Sequence, residues 1–196
     1  MVKTTQKEKN LIYFVTFTCH NWIPLFDIAD AYDSVYKWFD YLKTKGHQVT
    51  GYVIMPNHFH GLIYVSPNDK TINKIISNAK RFMAYDIVKK LKEKEEWSIL
   101  QVLQDAVPKY DRKRGKQHQV FESSFDAKPC YYEDFILQKL NYMHQNPVSG
   151  KWKLTDDFLK YSHSSALFYE KGKQGSYPVV HYQNIEFPKE EVGGYF

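Results

Sequence analysis

Hydrophobic positions along this chain switch between a period of two and a period near 3.6. The run LIYFVTFTC, Leu11–Cys19, is β-branched and aromatic and predicts a buried strand, with Pro24 soon after it. Across Asp30–Lys45 the spacing becomes helical: Val35, Phe39 and Leu42 share a face, Tyr36 and Trp38 flank it, and Gly46 terminates it. Val49–Met55 and His58–Val65 predict two strands joined at Pro56 and Asn57, because a proline that cannot donate a ladder hydrogen bond belongs at a strand end. A second helix runs from Thr71 to about Lys92, with Ile72, Ile75, Ile76, Ala79, Met83 and Ile87 as its apolar stripe. After the charged stretch Lys92–Glu96 come a short helix near Ser98–Ala106, a basic loop, a fourth strand at Val120–Phe125, and a third long helix, Tyr131–Gln145, ended by Pro147.

Strand, helix, strand, strand, helix, strand is the order of a ferredoxin-like split βαβ α+β fold. It implies an antiparallel sheet with helices on one face, here followed by an additional C-terminal helix, and it puts both hairpin strands in the centre. With 196 residues, 43% of them hydrophobic, and thirteen Phe, sixteen Tyr and four Trp, the chain can bury one good core, so residues 1–196 are expected to be a single domain. Within it, 93–119 reads as a basic insertion and 171–196 as a C-terminal extension. No run reaches the roughly eighteen apolar residues of a membrane span, and Met1–Asn10 is too polar and lysine-rich for a signal peptide, so a cytoplasmic protein with no membrane partner is expected. Cys19 and Cys130 lack zinc-site spacing and read as reduced packing residues.

Chemistry concentrates in GYVIMPNHFHGLIYV, Gly51–Val65. Side chains alternate on a strand, so His58 and His60 point to the same side, about 7 Å apart along the strand, and Phe59 to the other. Two such imidazoles can clamp a metal ion, although the dyad alone is weakly specific. On the Tyr131–Gln145 helix, 100° per residue gathers Gln138, Tyr142, Gln145 and Asn146 on one side, with Ile136, Leu137, Leu140 and Met143 opposite. Tyr142 and Asn146, four apart, are neighbours. Pro147 is expected to hold Asn146 in an extended or turn conformation, and the helix's negative end together with the amide oxygen favours a cation. Either residue taken alone reads as packing or capping. Net charge is +5, and KYDRKRGKQHQ, Lys109–Gln119, sets five basic residues against one acidic residue with Tyr110 among them. Such a segment suits a nucleic-acid backbone or is simply a solvated loop.

Taken together and in order, YVIMPNHFHGLIYV, FESSFDAKPCYYEDFILQKLNYMHQNPVSGKW and YSHSSALFY resemble the REP-associated tyrosine transposases, relatives of the single-tyrosine HUH transposases. The likeness spans Leu11 to about Leu25, Thr50–Val65 and Val120–Tyr169, roughly half the chain, and the joint pattern of the HUH strand with YxxxNP is highly specific. The chain departs from the pattern at His163, where relatives often carry Trp before the two serines, and at Glu93–Gln119, which reads as inserted or divergent.

The resemblance implies a ferredoxin-like nuclease with a divalent metal on His58 and His60, an amide ligand at Asn146 and a nucleophile at Tyr142. It implies cleavage of single-stranded DNA beside a hairpin through a 5′-phosphotyrosine link, and a nucleoid-associated protein for which a homodimer is open. Mixed nitrogen and oxygen ligation with open positions suits Mg²⁺ or Mn²⁺. Lys80, Arg81, Lys109, Arg112, Lys113 and Arg114 are candidate backbone contacts. The competing readings are an HUH replication initiator or relaxase, a non-catalytic ferredoxin-like nucleic-acid-binding module, and a metal hydrolase in which Tyr142 only binds substrate.

Overall fold

The computed structural model describes residues 8–67, 71–150 and 153–185. Strands β1 (Leu11–Thr18), β2 (Gln48–Met55), β3 (His58–Val65) and β4 (Asp126–Pro129) form one antiparallel sheet in the order β2-β3-β1-β4. Between and after them lie α1 (Leu25–Ile28), α2 (Tyr32–Thr44), α3 (Ile72–Glu93), α4 (Trp97–Asp105), α5 (Lys109–Lys113), α6 (Glu133–Gln145) and α7 (Ala166–Lys171). This is the split βαβ order expected, and β3 covers the expected span to the residue.

Alternation along the strands divides the interior into two cores. Tyr13, Val15, Phe17, Tyr52, Ile54, Phe59 and Ile63 pack under α2 and α3, joined by Leu100 and Leu103 of α4. Ile12, Phe14, Val53, Met55, Leu62 and Tyr64 face the other way, under Ile136, Leu140 and Met143 of α6. The first two long helices therefore cover one face and the additional helix covers the opposite one. His58 and His60 lie on the face beneath α6, because they share the even-numbered register of β3 with Leu62 and Tyr64.

Several expectations are corrected. Only β3 of the hairpin is central; β2 is at the sheet edge, where residues 163–165 cover it through Ile54 N donating to His163 O (2.9 Å) and Ser165 N donating to Tyr52 O (2.9 Å). The fourth strand is Asp126–Pro129 rather than Val120–Phe125. Phe121 makes only an isolated bridge to Cys19, its carbonyl accepting from the buried Gln119 amide at 2.6 Å, so the ladder along β1 resumes beyond it. The start of the basic segment is helical, α5, instead of a loop. Leu137, expected on the apolar side of α6, is exposed. Both cysteines are free and buried, as expected. Among the described residues, no helix is long and apolar enough to cross a membrane.

Gly51 is required by space and Gly46 by its backbone. A Cβ on Gly51 would sit 2.6 Å from Met143 Cε and 2.9 Å from Leu140 Cδ2, so the missing side chain is what lets α6 settle on β2. Gly46 ends α2 at φ +76°, the left-handed conformation expected of a helix terminator.

Candidate active site

The geometry is built from the sheet outward. His58 and His60 project from β3 with ring centroids 4.8 Å apart and planes at 77°. Both are buried, 7% and 4% exposed. Each ring is held from behind through Nδ1. Asn57, fully buried in the turn, accepts from His58 Nδ1 at 2.7 Å, and Thr16 Oγ1 on the adjacent β1 hydrogen-bonds His60 Nδ1 at 2.6 Å. An amide oxygen can only accept, so the proton of His58 sits on Nδ1 and its Nε2 carries the lone pair; the Thr16 bond likewise leaves Nε2 of His60 as the available nitrogen. Burial lowers the His58 pKa to about 4, against a smaller raising effect of the neighbouring Asn146 carboxamide. Burial first, and then the charges of His58 and Lys139, lower His60 to about 3. Both rings are therefore neutral donors at neutral pH.

Helix α6 lies above them. Tyr142 places its ring 5.2 Å from His60 at 71° and 6.2 Å from Phe14 at 78°. It is 50% exposed, and among the described residues nothing hydrogen-bonds its hydroxyl. Other tyrosines around this sheet are tied down: Tyr161 donates to Ile54 O at 2.7 Å, Tyr169 to Thr50 O at 2.6 Å, and Tyr182 to Glu133 Oε1 at 2.7 Å. Asn146, one turn after Tyr142, donates through Nδ2 to Tyr142 O at 2.8 Å, and its carboxamide lies near enough to His58 to act on that ring's pKa. Contrary to expectation, Asn146 is helical (φ −54°, ψ −44°) despite preceding Pro147, because α6 runs on into a 3₁₀ turn, Asn146–Val148. The four expected site residues thus converge.

Three further features carried no sequence signal. The ammonium of Lys139 lies over the rings of Phe14 (5.2 Å), Phe135 (4.9 Å) and Tyr142 (5.7 Å), placing a cation beside the phenol. His144, read only as part of the helix, is buried and bonds Ser165 Oγ at 2.9 Å; that hydroxyl also accepts from Tyr52 N, so the YSHSS segment ties α6 to the edge of β2. Trp22 meets His58 edge-on, with centroids 5.6 Å apart. It follows Asn21 (φ 48°, ψ 30°) and itself has φ 59°; a non-glycine residue held in the left-handed region costs on the order of 1–3 kcal/mol and persists only where the surroundings enforce it.

The expected DNA-contact residues lie apart from this cluster. Lys80 donates to Glu122 O (2.6 Å) and Ser124 O (3.0 Å), and burial lowers its pKa to about 8, so it chiefly fastens the 122–124 segment to α3. Arg81 and Arg114 line a groove of about 790 Å³ with Lys92 and Lys116. Arg112 donates to Gln104 O at 3.0 Å, whereas Lys109 and Lys113 are exposed on α5.

The chain is thus an antiparallel split βαβ domain with a paired-histidine strand facing a tyrosine and carboxamide helix. The same fold is found in a REP-associated tyrosine transposase solved bound to a REP hairpin: TM-score 0.57 at 14% identity, over 91% of this chain and 89% of that one. A protein from Deinococcus radiodurans R1, provisionally assigned as a transposase, aligns with TM-score 0.41 at 15% identity over 74% of this chain and 97% of its own. No family profile and no curated protein matches the sequence.

Proposed function

We propose that this chain is an HUH single-tyrosine transposase of the REP-associated kind, a metal-dependent endonuclease and strand transferase for single-stranded DNA beside hairpins. The observation that supports the reading best is the approach of the Tyr142 ring to 5.2 Å from that of His60, centroid to centroid, with the Asn146 carboxamide near His58, so that a candidate nucleophile and three candidate donors share one corner of the sheet. The transposase that shares this fold was solved with a DNA hairpin, which agrees with a hairpin substrate for this chain.

The donor set suits a divalent cation. Among the described residues no three His, Cys, Asp or Glu side chains cluster as a metal site, so the candidate ligands are two imidazoles and one carboxamide oxygen. Their Nδ1 atoms are already engaged, which orients Nε2 as outer partners orient ligating histidines. Magnesium or manganese bound there would polarise a phosphodiester and offset charge growing on its oxygens.

The chain's own residues supply the rest. The Tyr142 oxygen attacks phosphorus as the phenol loses its proton; the bond to the 3′-oxygen breaks, and that oxygen takes up a proton to leave as a 3′-hydroxyl. The 5′-phosphotyrosine ester retains the bond energy, so a second 3′-hydroxyl can attack it and regenerate the phenol without ATP. Lys139 adds positive charge over the ring of the attacking phenol. Arg81, Arg114 and the exposed cations of α5 would hold backbone phosphates without reading sequence.

Denaturing gels of the protein with end-labelled hairpin DNA and Mn²⁺ test this. Wild type should form a covalent adduct and Tyr142→Phe none, with hairpin affinity retained. An adduct at full yield from Tyr142→Phe refutes the assignment, and strand cleavage without any adduct in wild type would point to a metal hydrolase.

A further inference from the structure

Trp22 is 57% exposed, beside a buried site and on a backbone that its residue type disfavours. Its own amide donates to Cys19 O at 3.1 Å, and two hydrogen bonds to side chains fix the corner. The carbonyl of Trp22 accepts from Asn57 Nδ2 at 3.2 Å, and the amide of the preceding residue, Asn21, donates to Glu122 Oε1 at 2.8 Å. Asn57 is the residue whose oxygen fixes His58, so one buried carboxamide sets both the imidazole and the corner that presents the indole. Among the described residues, His58 is the only ring that Trp22 meets. A tryptophan serving the core would be buried, as Trp38 is at 6% exposure.

We infer that Trp22 is a stacking platform for one unpaired nucleobase, held against the His58 side of the site. The inference deepens the strand-cleaving reading and rests on it for the identity of the ligand as DNA. An indole more than half exposed can stack on any base, because every base has a π-face, whereas bases inside a duplex have theirs covered. The ligand is therefore an unpaired nucleotide adjoining the phosphate that Tyr142 attacks. The basic groove gives the same strand an electrostatic path. Glu122 lines it, and through Glu122 and Asn21 the groove wall is joined directly to the Trp22 corner.

The test uses the full chain in EDTA, so that binding is read without cleavage, and a fluorescent hairpin with a single-stranded extension carrying one abasic site at each position in turn. Wild type should lose about tenfold in affinity when one particular extension nucleotide is abasic. Trp22→Ala should bind the intact oligonucleotide about tenfold more weakly and be indifferent to that abasic site, while Trp22→Phe recovers most of both effects. Trp22→Leu, which keeps apolar bulk, should behave as the alanine variant does, and Mn²⁺ affinity and melting temperature serve as controls for fold. If Trp22→Ala does not fold, the Phe and Leu variants decide the matter between them. Equal abasic profiles in wild type and the Leu variant, or affinity within twofold of wild type, would overturn the inference. Adduct formation is scored separately: a Trp22-dependent abasic position without any wild-type adduct leaves the stacking site standing and removes the transposase reading.

Discussion

Gly51→Val is the perturbation that most directly asks whether the seating of α6 makes the site. Already at Cβ the new side chain would stand 2.6 Å from Met143 Cε and 2.9 Å from Leu140 Cδ2, and both neighbours are buried, so their tips have little room to yield. Overpacking of this kind costs about 1–3 kcal/mol, and replacing glycine in a strand returns about 0.5–1 kcal/mol of backbone entropy. Valine adds two methyl groups to the clash, which places the net loss near 2 kcal/mol, or roughly 4–8 °C in Tm for a chain of this size. The helix must lift or turn, and Tyr142 is the residue next to Met143, so adduct yield should fall even where the protein remains folded. Thermal melts and gel assays on the same samples separate the two effects. Combining the substitution with Met143→Ala should then cost at least 0.5 kcal/mol less than the sum of the single changes, because the valine fills space the methionine leaves. An unchanged Tm, or strict additivity in the double variant, would refute the packing account.

Thr16→Val removes the partner of His60 Nδ1 and should weaken Mn²⁺ binding about 10–100-fold by calorimetry, with Thr16→Ser close to wild type. Lys139→Gln should slow adduct formation and leave hairpin affinity within about twofold; a proportional loss of both would make Lys139 a DNA contact rather than a cation acting on the Tyr142 phenol. His163 stacks on Tyr32 at 3.8 Å and hydrogen-bonds Tyr36, and burial holds its pKa below the ordinary 6.5 despite the charges of Asp30 and Asp27. Its neutral form is favoured by folding, so its contribution is complete above pH 6.5 and is lost as pH falls below that value toward the folded pKa. Melting temperatures from pH 7 to 5 should accordingly fall more steeply for wild type than for His163→Gln.

What could be read from the sequence was whatever one element's own repeat determines. The dyad of His58 and His60 follows from the period of a strand, and the pairing of Tyr142 with Asn146 follows from the period of a helix. Both survive in three dimensions because each needs only its own element to form. Features that depend on contacts between segments distant in sequence were not legible. Val120–Phe125 has strand composition, but the Gln119 amide takes the Phe121 carbonyl, so the edge of β1 is completed by Asp126–Pro129 instead. Lys80 resembles a surface cation until the carbonyls of Glu122 and Ser124, some forty residues away, are seen to capture it. Trp22 is a lone aromatic in a loop, and nothing local announces that Asn57 and Glu122 hold it in a left-handed corner.

The site divides its labour between rigid and free parts. Both imidazoles are buried and braced by residues on other segments, Thr16 on the neighbouring strand and Asn57 in the turn, so their lone pairs are fixed before any ligand arrives. Preorganisation of that kind is what a metal site requires, since reorganising ligands would cost affinity. The phenol is the opposite case. Its backbone is anchored through Leu140, Met143 and the His144–Ser165 bond, yet its ring is half exposed and no hydrogen bond among the described residues holds its hydroxyl. In the proposed reaction the nucleophile meets a phosphate and then carries the attached strand to a new 3′-hydroxyl, which calls for that freedom, and a hydroxyl bonded like those of Tyr161 and Tyr169 would have to break a contact before each attack. Among the tyrosines of this sheet, Tyr142 combines an anchored helix, a neighbouring cation and an open hydroxyl, which is why the assignment of the nucleophile rests on its surroundings as much as on its spacing from Asn146.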